Sequence, residues 1–198
     1  SGAVAYDGSS FERYTRDDGL VVSDVRSIAV DSHNVKWFAT AEGLSRFDGV
    51  RWNSYQMAGS LYSNFLRIIA IDQNDTKWVG AGLWPELLRF DDKNFVRYTL
   101  ADGSTVNRIQ GMAVDRDNVL WLGTYSGLYR REGGYLTKVS RDGDLPSPNV
   151  TAVAVDYDNA VWCGTPEGAA RFDGVSWHCF TEKDGLVDNH VTGIAADM

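Results

Sequence analysis

Few of the residues that usually advertise a chemistry occur in this chain. It has 2 cysteines, 3 histidines and 4 prolines in 198 residues. Cys163 and Cys179 fall, on the strand assignment given below, on strands two apart in one blade, about 10 Å from each other. That is beyond disulfide reach, so a small core thiol is the reading for Cys163 and no staple is expected. The histidines, His33, His178 and His190, form no His-x-x-x-His pair, so neither a hydrolytic zinc site nor a Ser-His-Asp triad has support. Basic residues are outnumbered, 19 Lys and Arg against 27 Asp and Glu, for a net charge of −8. A phosphate backbone or an anionic lipid surface would be repelled, which excludes nucleic acid as a partner. No apolar run approaches the roughly 18 residues of a membrane span, so no membrane insertion is expected. The glycine-containing Gly80-Ala-Gly82 follows a strand pattern but opens no helix, so a nucleotide-binding loop fails its context.

What the chain has instead is repetition. Trp37, Trp78, Trp121 and Trp162 are spaced 41, 43 and 41 residues apart, and an aspartate stands six residues before each: Asp31, Asp72, Asp115 and Asp156, with Asp197 following. The surrounding text recurs with them, as IAVDSHNVKWFATAEGLSRFDG and VAVDYDNAVWCGTPEGAARFDG. A period of this length marks a repeat architecture. Within it, Val25 to Asp31 reads as strand A, Val35 to Thr40 as B, Leu44 to Asp48 as C and Arg51 to Tyr55 as D. Turns such as Asp31-Ser-His-Asn34 separate A from B, where Asn and Asp tolerate a left-handed backbone. A longer polar loop containing Asp-Gly leads to the next strand A. Four short strands per period without helical patterning predict an all-β fold, a β-propeller of four-stranded blades. Composition agrees: 43% hydrophobic and 12% aromatic residues are enough for a packed core.

The phase of the repeat sets the boundaries. Residues 25–55, 66–99, 109–139 and 150–181 are four complete blades in one propeller domain or propeller fragment spanning 1–198. Residues 1–15 read as strands C and D of a half blade, and 191–198 as a strand A. These two ends supply three strands of a split fifth blade but no strand B. Either the chain is a piece of a longer propeller, or its fifth blade is completed from outside, by self-association or by a partner chain. An open interblade face and an unpaired edge strand both favour association.

The phrases WFATAEGLSRFDG, WLGTYSGLYR and WCGTPEGAARFDG, with the linkers YTRDDGL and FTEKDGLVDNHV, resemble the two-component regulator propeller repeat. The resemblance covers essentially the whole chain. Two departures stand out: Arg131-Glu132 replaces Phe-Asp in the third repeat, and two residues are inserted around Trp84-Pro85 in the second. The resemblance implies a large propeller in the extracytoplasmic sensor region of a hybrid histidine kinase, periplasmic or extracellular, sensing carbohydrate fragments. It also implies a non-catalytic module of a signalling protein. The alternatives are a structural or protein-interaction propeller and, further off, a streptogramin-lyase-like enzyme that needs a metal with histidine and glutamate beside it.

Trp37, Trp78, Trp121 and Trp162 are expected in the core between blades, each nearly fully buried, and the strand D aromatics Phe11, Trp52, Phe95, Tyr135 and Trp177 in blade packing. The Asp-x-Asp/Asn turns lack the six-ligand spacing of a calcium loop, so no metal and no cofactor is expected. B–C and D–A loops leave a blade on one face and vary between repeats, which is where a rigid scaffold carries function. The residues just before each strand A form the expected ring there: Asp24, Phe65, Arg108, Asn149 and His190. Tyr62, Trp84, Glu86, Tyr125 and Glu167 are the neighbouring variable positions. Such a mixture suits a small polar ligand or glycan.

Overall fold

The computed structural model describes residues 2–57, 64–82, 86–98, 108–132 and 135–196, without the Glu86 side chain. Tyr62, Trp84 and Asp197 lie outside the described residues. Packing divides the chain into two compact units, residues 1–98 and 99–198. In the first unit β1 (Ala3–Tyr6) and β2 (Phe11–Tyr14) form a two-stranded sheet. Two blades follow: β3 (Val25–Val30), β4 (Lys36–Thr40), β5 (Gly43–Phe47) and β6 (Trp52–Tyr55), then β7 (Leu66–Ile71), β8 (Lys77–Ala81), β9 (Glu86–Phe90) and β10 (Phe95–Tyr98). The second unit repeats the plan in β11 (Ile109–Val114), β12 (Leu120–Thr124), β13 (Gly127–Glu132) and β14 (Tyr135–Lys138), then in β15 (Ala152–Val155), β16 (Val161–Thr165), β17 (Gly168–Phe172) and β18 (Trp177–Phe180). Every sheet is antiparallel, with strands adjacent in sequence order. The all-β propeller architecture, with four complete blades and an incomplete one, is as expected.

The repeated Asp and Trp are joined. In each blade the tryptophan Nε1–H donates to Oδ2 of the aspartate six residues earlier, at 2.9 Å for Trp37–Asp31 and Trp78–Asp72, 2.7 Å for Trp121–Asp115 and 2.8 Å for Trp162–Asp156. The other carboxylate oxygen accepts two backbone N–H groups of the A–B turn, those of His33 and Val35 on Asp31, and the equivalents in every blade. One carboxylate thus closes the turn and pins the central strand to it. The turn's fourth residue is left-handed each time: Asn34 (φ 61°), Asp75 (58°), Asn118 (62°) and Asn159 (65°). That is the conformation Asn and Asp adopt most readily.

Adjacent turns also latch to one another inside each unit. Ser32 donates its backbone N–H (2.9 Å) and hydroxyl (2.5 Å) to Asp75, and the Arg116 N–H donates to Asn159 Oδ1 (2.9 Å). Strands β3 and β7 abut, as do β11 and β15. There Gly111 permits the approach, since a Cβ would stand 2.7 Å from the Val153 backbone nitrogen. Inside each unit one tryptophan, Trp37 or Trp121, fills the space between the two blades. Trp37 meets Phe90 edge-on at 5.8 Å, with Lys77 Nζ 4.7 Å from its ring centre, and Trp121 meets Phe172 edge-on at 6.2 Å.

The structure corrects three expectations. Trp37, Trp78 and Trp121 are 1–5% exposed, but Trp162 is only half-buried. The residues over its face, Leu186, Val191 and Ile194, form no strand and leave a cleft of about 530 Å³. Residues 191–196 are accordingly not a strand A. Val191 keeps the docking bond of that position, N–H to Thr165 O at 3.0 Å, as Val150 does to Thr124 O at 2.8 Å, but no ladder follows among the described residues. Finally, Phe11 (77% exposed) and Tyr135 (61%) are not packed between blades, whereas Trp52, Phe95 and Trp177 are half-buried. Cys163 is buried as expected, which pushes its thiol up to about 12.

Two outcomes follow from this packing. Trp121→Ala removes a buried interblade aromatic and should cost about 3–5 kcal/mol in denaturant unfolding, with Trp162→Ala costing clearly less. The C–D turns govern the acid limb. Asp173 accepts the N–H groups of Ser176 (2.7 Å) and Val175 (2.8 Å), which hold its carboxyl at about 2, and matching bonds lower Asp7, Asp48 and Asp91. A carboxyl whose folded pKa lies below its unfolded value near ~3.9 stabilises fully above that value. The contribution disappears as pH falls through 4 toward 2. Thermal unfolding should therefore show a plateau above about pH 5 and a decline below it, with a shallower decline for Asp173→Asn.

Candidate ligand-binding face

The B–C turns form one face of each blade, and three of them share a buried threonine. Thr40, Thr124 and Thr165 donate Oγ1–H to the carbonyls of Gly43, Gly127 and Gly168 (2.7–2.8 Å) and accept a turn N–H from Glu42, Ser126 and Glu167 (3.1–3.2 Å). The staple needs a hydroxyl, and the second repeat has Ala81 in that place, beside its two-residue insertion. The loops entering the next blade are wound more tightly than a polar loop implies. Thr15 and Thr181 cap single turns of 3-10 helix, Arg16–Asp18 and Glu182–Asp184, by sharing hydrogen bonds with Asp18 and Asp184.

In the first unit the structure brings Asp24 and Phe65 together through a residue not singled out from the sequence. Arg26 pairs with Asp24 at 2.7 Å and lays its guanidinium 5.0 Å from the Phe65 ring centre. Backbone bonds fix both ends, Ala41 N–H to Asp24 O (3.1 Å) and Gly82 N–H to Phe65 O (2.9 Å). Gly82 leaves room for the Phe65 ring, from which a Cβ would be 2.1 Å. Glu86 begins β9.

In the second unit Arg108, Tyr125 and Asn149 gather at the start of β11 and β15. Arg108 has a left-handed backbone (φ 41°), unusual for a long side chain, and its guanidinium lies 5.5 Å from the centre of the Tyr125 ring. Tyr125 is 50% exposed. Gln110 donates its side-chain amide to Asn149 Oδ1 and to the Val150 carbonyl (3.3 Å), so this half-buried amide fastens one blade's entry to the next. Thr151 does the same for the following segment, its hydroxyl lying 2.6 Å from Val191 O. Glu167 and His190 are exposed, and the His190 backbone N–H donates to Asp188 (2.7 Å). Arg26 and Gln110 escaped the sequence reading. Each stands two residues after a ring position, at the register shift that opens strand A (Val25/Ser27 and Ile109/Gly111), where the alternation of a regular strand is broken.

Chemically, the second-unit cluster offers a cation, an aromatic ring and side-chain amides. Among the described residues no group of three or more His, Cys, Asp or Glu could hold a metal ion. No helix among them is long and apolar enough to cross a membrane.

The family model for the two component regulator propeller matches residues 103–126. No curated protein matches the sequence. Among solved structures, the chain is similar to the extracellular domain of BT3049 from B. thetaiotaomicron, described as a hybrid two component system, with 23% identity and a TM-score of 0.71. That likeness covers 86% of this chain and 26% of the other. The extracellular domain of BT4673 from the same organism gives a TM-score of 0.75 at 18% identity, over 94% of this chain and 26% of that one. Virginiamycin B lyase from Staphylococcus aureus gives 0.62 at 13% identity, over 79% and 55%. At these identities the likeness is one of fold, and the chain spans about a quarter of the length of the two extracellular domains. The matched segment runs through β11 and β12, where Asp115 clamps Trp121; residues 103–126 thus match the two component regulator propeller repeat, in a chain folded as propeller blades.

Proposed function

We propose that the chain is part of a non-catalytic sensory propeller in a two-component-type signalling protein, working in the periplasm or outside the cell and binding a small polar ligand such as a carbohydrate on its B–C and D–A loop face. The observation that carries this reading is the Arg108–Tyr125 pair. The repeat's own polar residues are taken up by turns and staples, whereas this guanidinium and half-exposed ring face solvent beside the Gln110–Asn149 amides. An aromatic face with directional polar groups beside it matches the alternating apolar and hydroxylated faces of a sugar. The family match at 103–126 supports the signalling context. A lyase-like reading would need a metal held by histidine and glutamate; at this face His190, Glu42, Glu167 and Glu182 stand on separate loops, and among the described residues no group of three or more His, Cys, Asp or Glu could hold an ion.

A glycan array with the intact chain tests the proposal. Binding should be saturable and should fall at least tenfold for Tyr125→Ala and for Arg108→Ala, while both variants keep unfolding free energies within about 1 kcal/mol of the parent, as expected at exposed positions. Binding unaffected by either substitution would move the site elsewhere.

A second reading, a propeller whose open blade faces associate, is favoured by the aromatic positions. In two blades a strand C phenylalanine, Phe90 or Phe172, packs on the preceding blade's tryptophan. Tyr6 holds the same repeat position, is 60% exposed and stacks on Phe11 at 4.6 Å, while Trp162 is half-buried beside its cleft. Exposed complementary surfaces of this kind favour a second copy or a partner chain. Light scattering at tens of micromolar should then report species larger than 21.9 kDa, reduced by Tyr6→Ser. A stable monomer would sink this reading.

A further inference from the structure

The third blade departs from the acidic character of the chain. Residues 109–139 carry four basic side chains (Arg116, Arg130, Arg131, Lys138) and three acidic ones (Asp115, Asp117, Glu132), a net of +1 in a chain of −8, with Arg108 before them and Arg141, Asp142 and Asp144 after. Arg130, Lys138 and Arg141 line one groove of about 390 Å³, between the outer strands and D–A loop of the third blade and β17–β18 of the fourth. Arg130, Lys138 and Arg141 stand on the third-blade side. Phe172 and Trp177 make the facing wall, their rings stacked at 4.7 Å and 27°.

The partners of these groups decide what the groove can take. Arg130 is paired with Glu132 at 3.2 Å. Asp144, the acidic residue lining the groove, uses Oδ2 to accept the Arg141 backbone N–H at 2.7 Å, and its carbonyl accepts from Cys179 Sγ at 3.4 Å. Among the described residues neither the Lys138 ammonium nor the Arg141 guanidinium has an ion-pair partner. In the matching place between the first two blades, Ser54 and Met57 stand where the third blade has Lys138 and Arg141. The charge is therefore no requirement of the blade. Two exposed cations without an ion-pair partner among the described residues, opposite a half-buried indole, define complementary halves of one ligand: a negative group to accept charge-assisted hydrogen bonds, and a flat apolar face to lie on the ring.

We propose that this groove is a binding site for a small organic anion with a flat apolar face, a ring bearing a carboxylate or sulfate ester, distinct from the Arg108–Tyr125 cluster. Lys138 and Arg141 hold the anionic group, Arg130 adds longer-range attraction, and Trp177 stacks on the ring. Binding should weaken with salt, because exposed cations are screened within about 8 Å at physiological ionic strength.

Phenyl sulfate, with phenol as its neutral counterpart, is the probe. Titrated into the intact chain at low salt, phenyl sulfate should shift the Trp177 indole N–H resonance saturably, and phenol should not. The Lys138→Ala/Arg141→Ala double variant should bind at least tenfold more weakly with an unchanged near-ultraviolet circular dichroism spectrum. Both residues are exposed, so the fold should survive; Lys93→Ala, which removes an exposed lysine elsewhere, should bind like the parent. Equal binding of phenol, retention of affinity in the double variant, or absence of a saturable shift would each overturn the proposal. Inorganic sulfate competing as strongly as phenyl sulfate would also overturn it, because the aromatic wall would then contribute nothing.

Discussion

The carboxylate that joins turn to tryptophan is the constraint on which each blade depends. An indole N–H buried without an acceptor is costly, on the order of 1–3 kcal/mol. Turn N–H groups pointing away from a ladder need acceptors as well. A single aspartate meets all three demands in each repeat, and its position, six residues before the tryptophan, follows from a four-residue turn between two antiparallel strands. With the central strand pinned, the indole has one place to go, the gap between blades. In the first and third blades its ring meets the next blade's strand C aromatic, Phe90 or Phe172. Local turn chemistry and interblade packing are thereby made one problem, and a 41-residue spacing repeats the solution.

The same coupling explains how much could be read before the fold was seen. Strand phase within the four blades, the left-handed Asn and Asp positions and the buried Cys163 are local or periodic properties, and they appear where the pattern places them. The six-residue Asp–Trp spacing was visible as a recurrence, though the hydrogen bond behind it was not. Burial is a different kind of property. Trp162 has the same repeat position and aspartate bond as Trp121, yet it is half-buried, because burial is set by what packs on it and not by its own repeat. Phe11 and Tyr135 teach the same lesson in strand D. Residues 191–196 carry a strand A pattern and dock through Val191, but a ladder requires a neighbour, and no periodicity supplies one.

Around the proposed site, legibility divides by cause. Ring positions could be named because they are defined by offset from strand A. Their partners, Arg26 and Gln110, act through cross-blade geometry, Arg26 reaching Phe65 and Gln110 reaching Asn149. Both sit at the irregularity that opens strand A, where the strand's alternation is broken and period two gives no guide. Scaffold duties consume the repeated polar residues, whereas charges and rings that differ between repeats remain for other uses. Hence the third blade, with its Arg108–Tyr125 pair on the loop face and its basic groove on the outer edge, is where this chain is most individual.

The central claim is that the Asp–Trp hydrogen bond couples turn to core, and a double-mutant cycle tests it directly. Asp115→Ala, Trp121→Phe and the double variant would be compared by denaturant unfolding, phenylalanine keeping most of the ring's packing while removing the N–H. The account predicts that the double variant is destabilised by less than the sum of the two single changes, with a coupling of about 1–3 kcal/mol, the range for contacting residues in a buried network. Additive effects within about 0.3–0.5 kcal/mol would contradict it, and would mean that the aspartate serves its turn and the tryptophan its core independently.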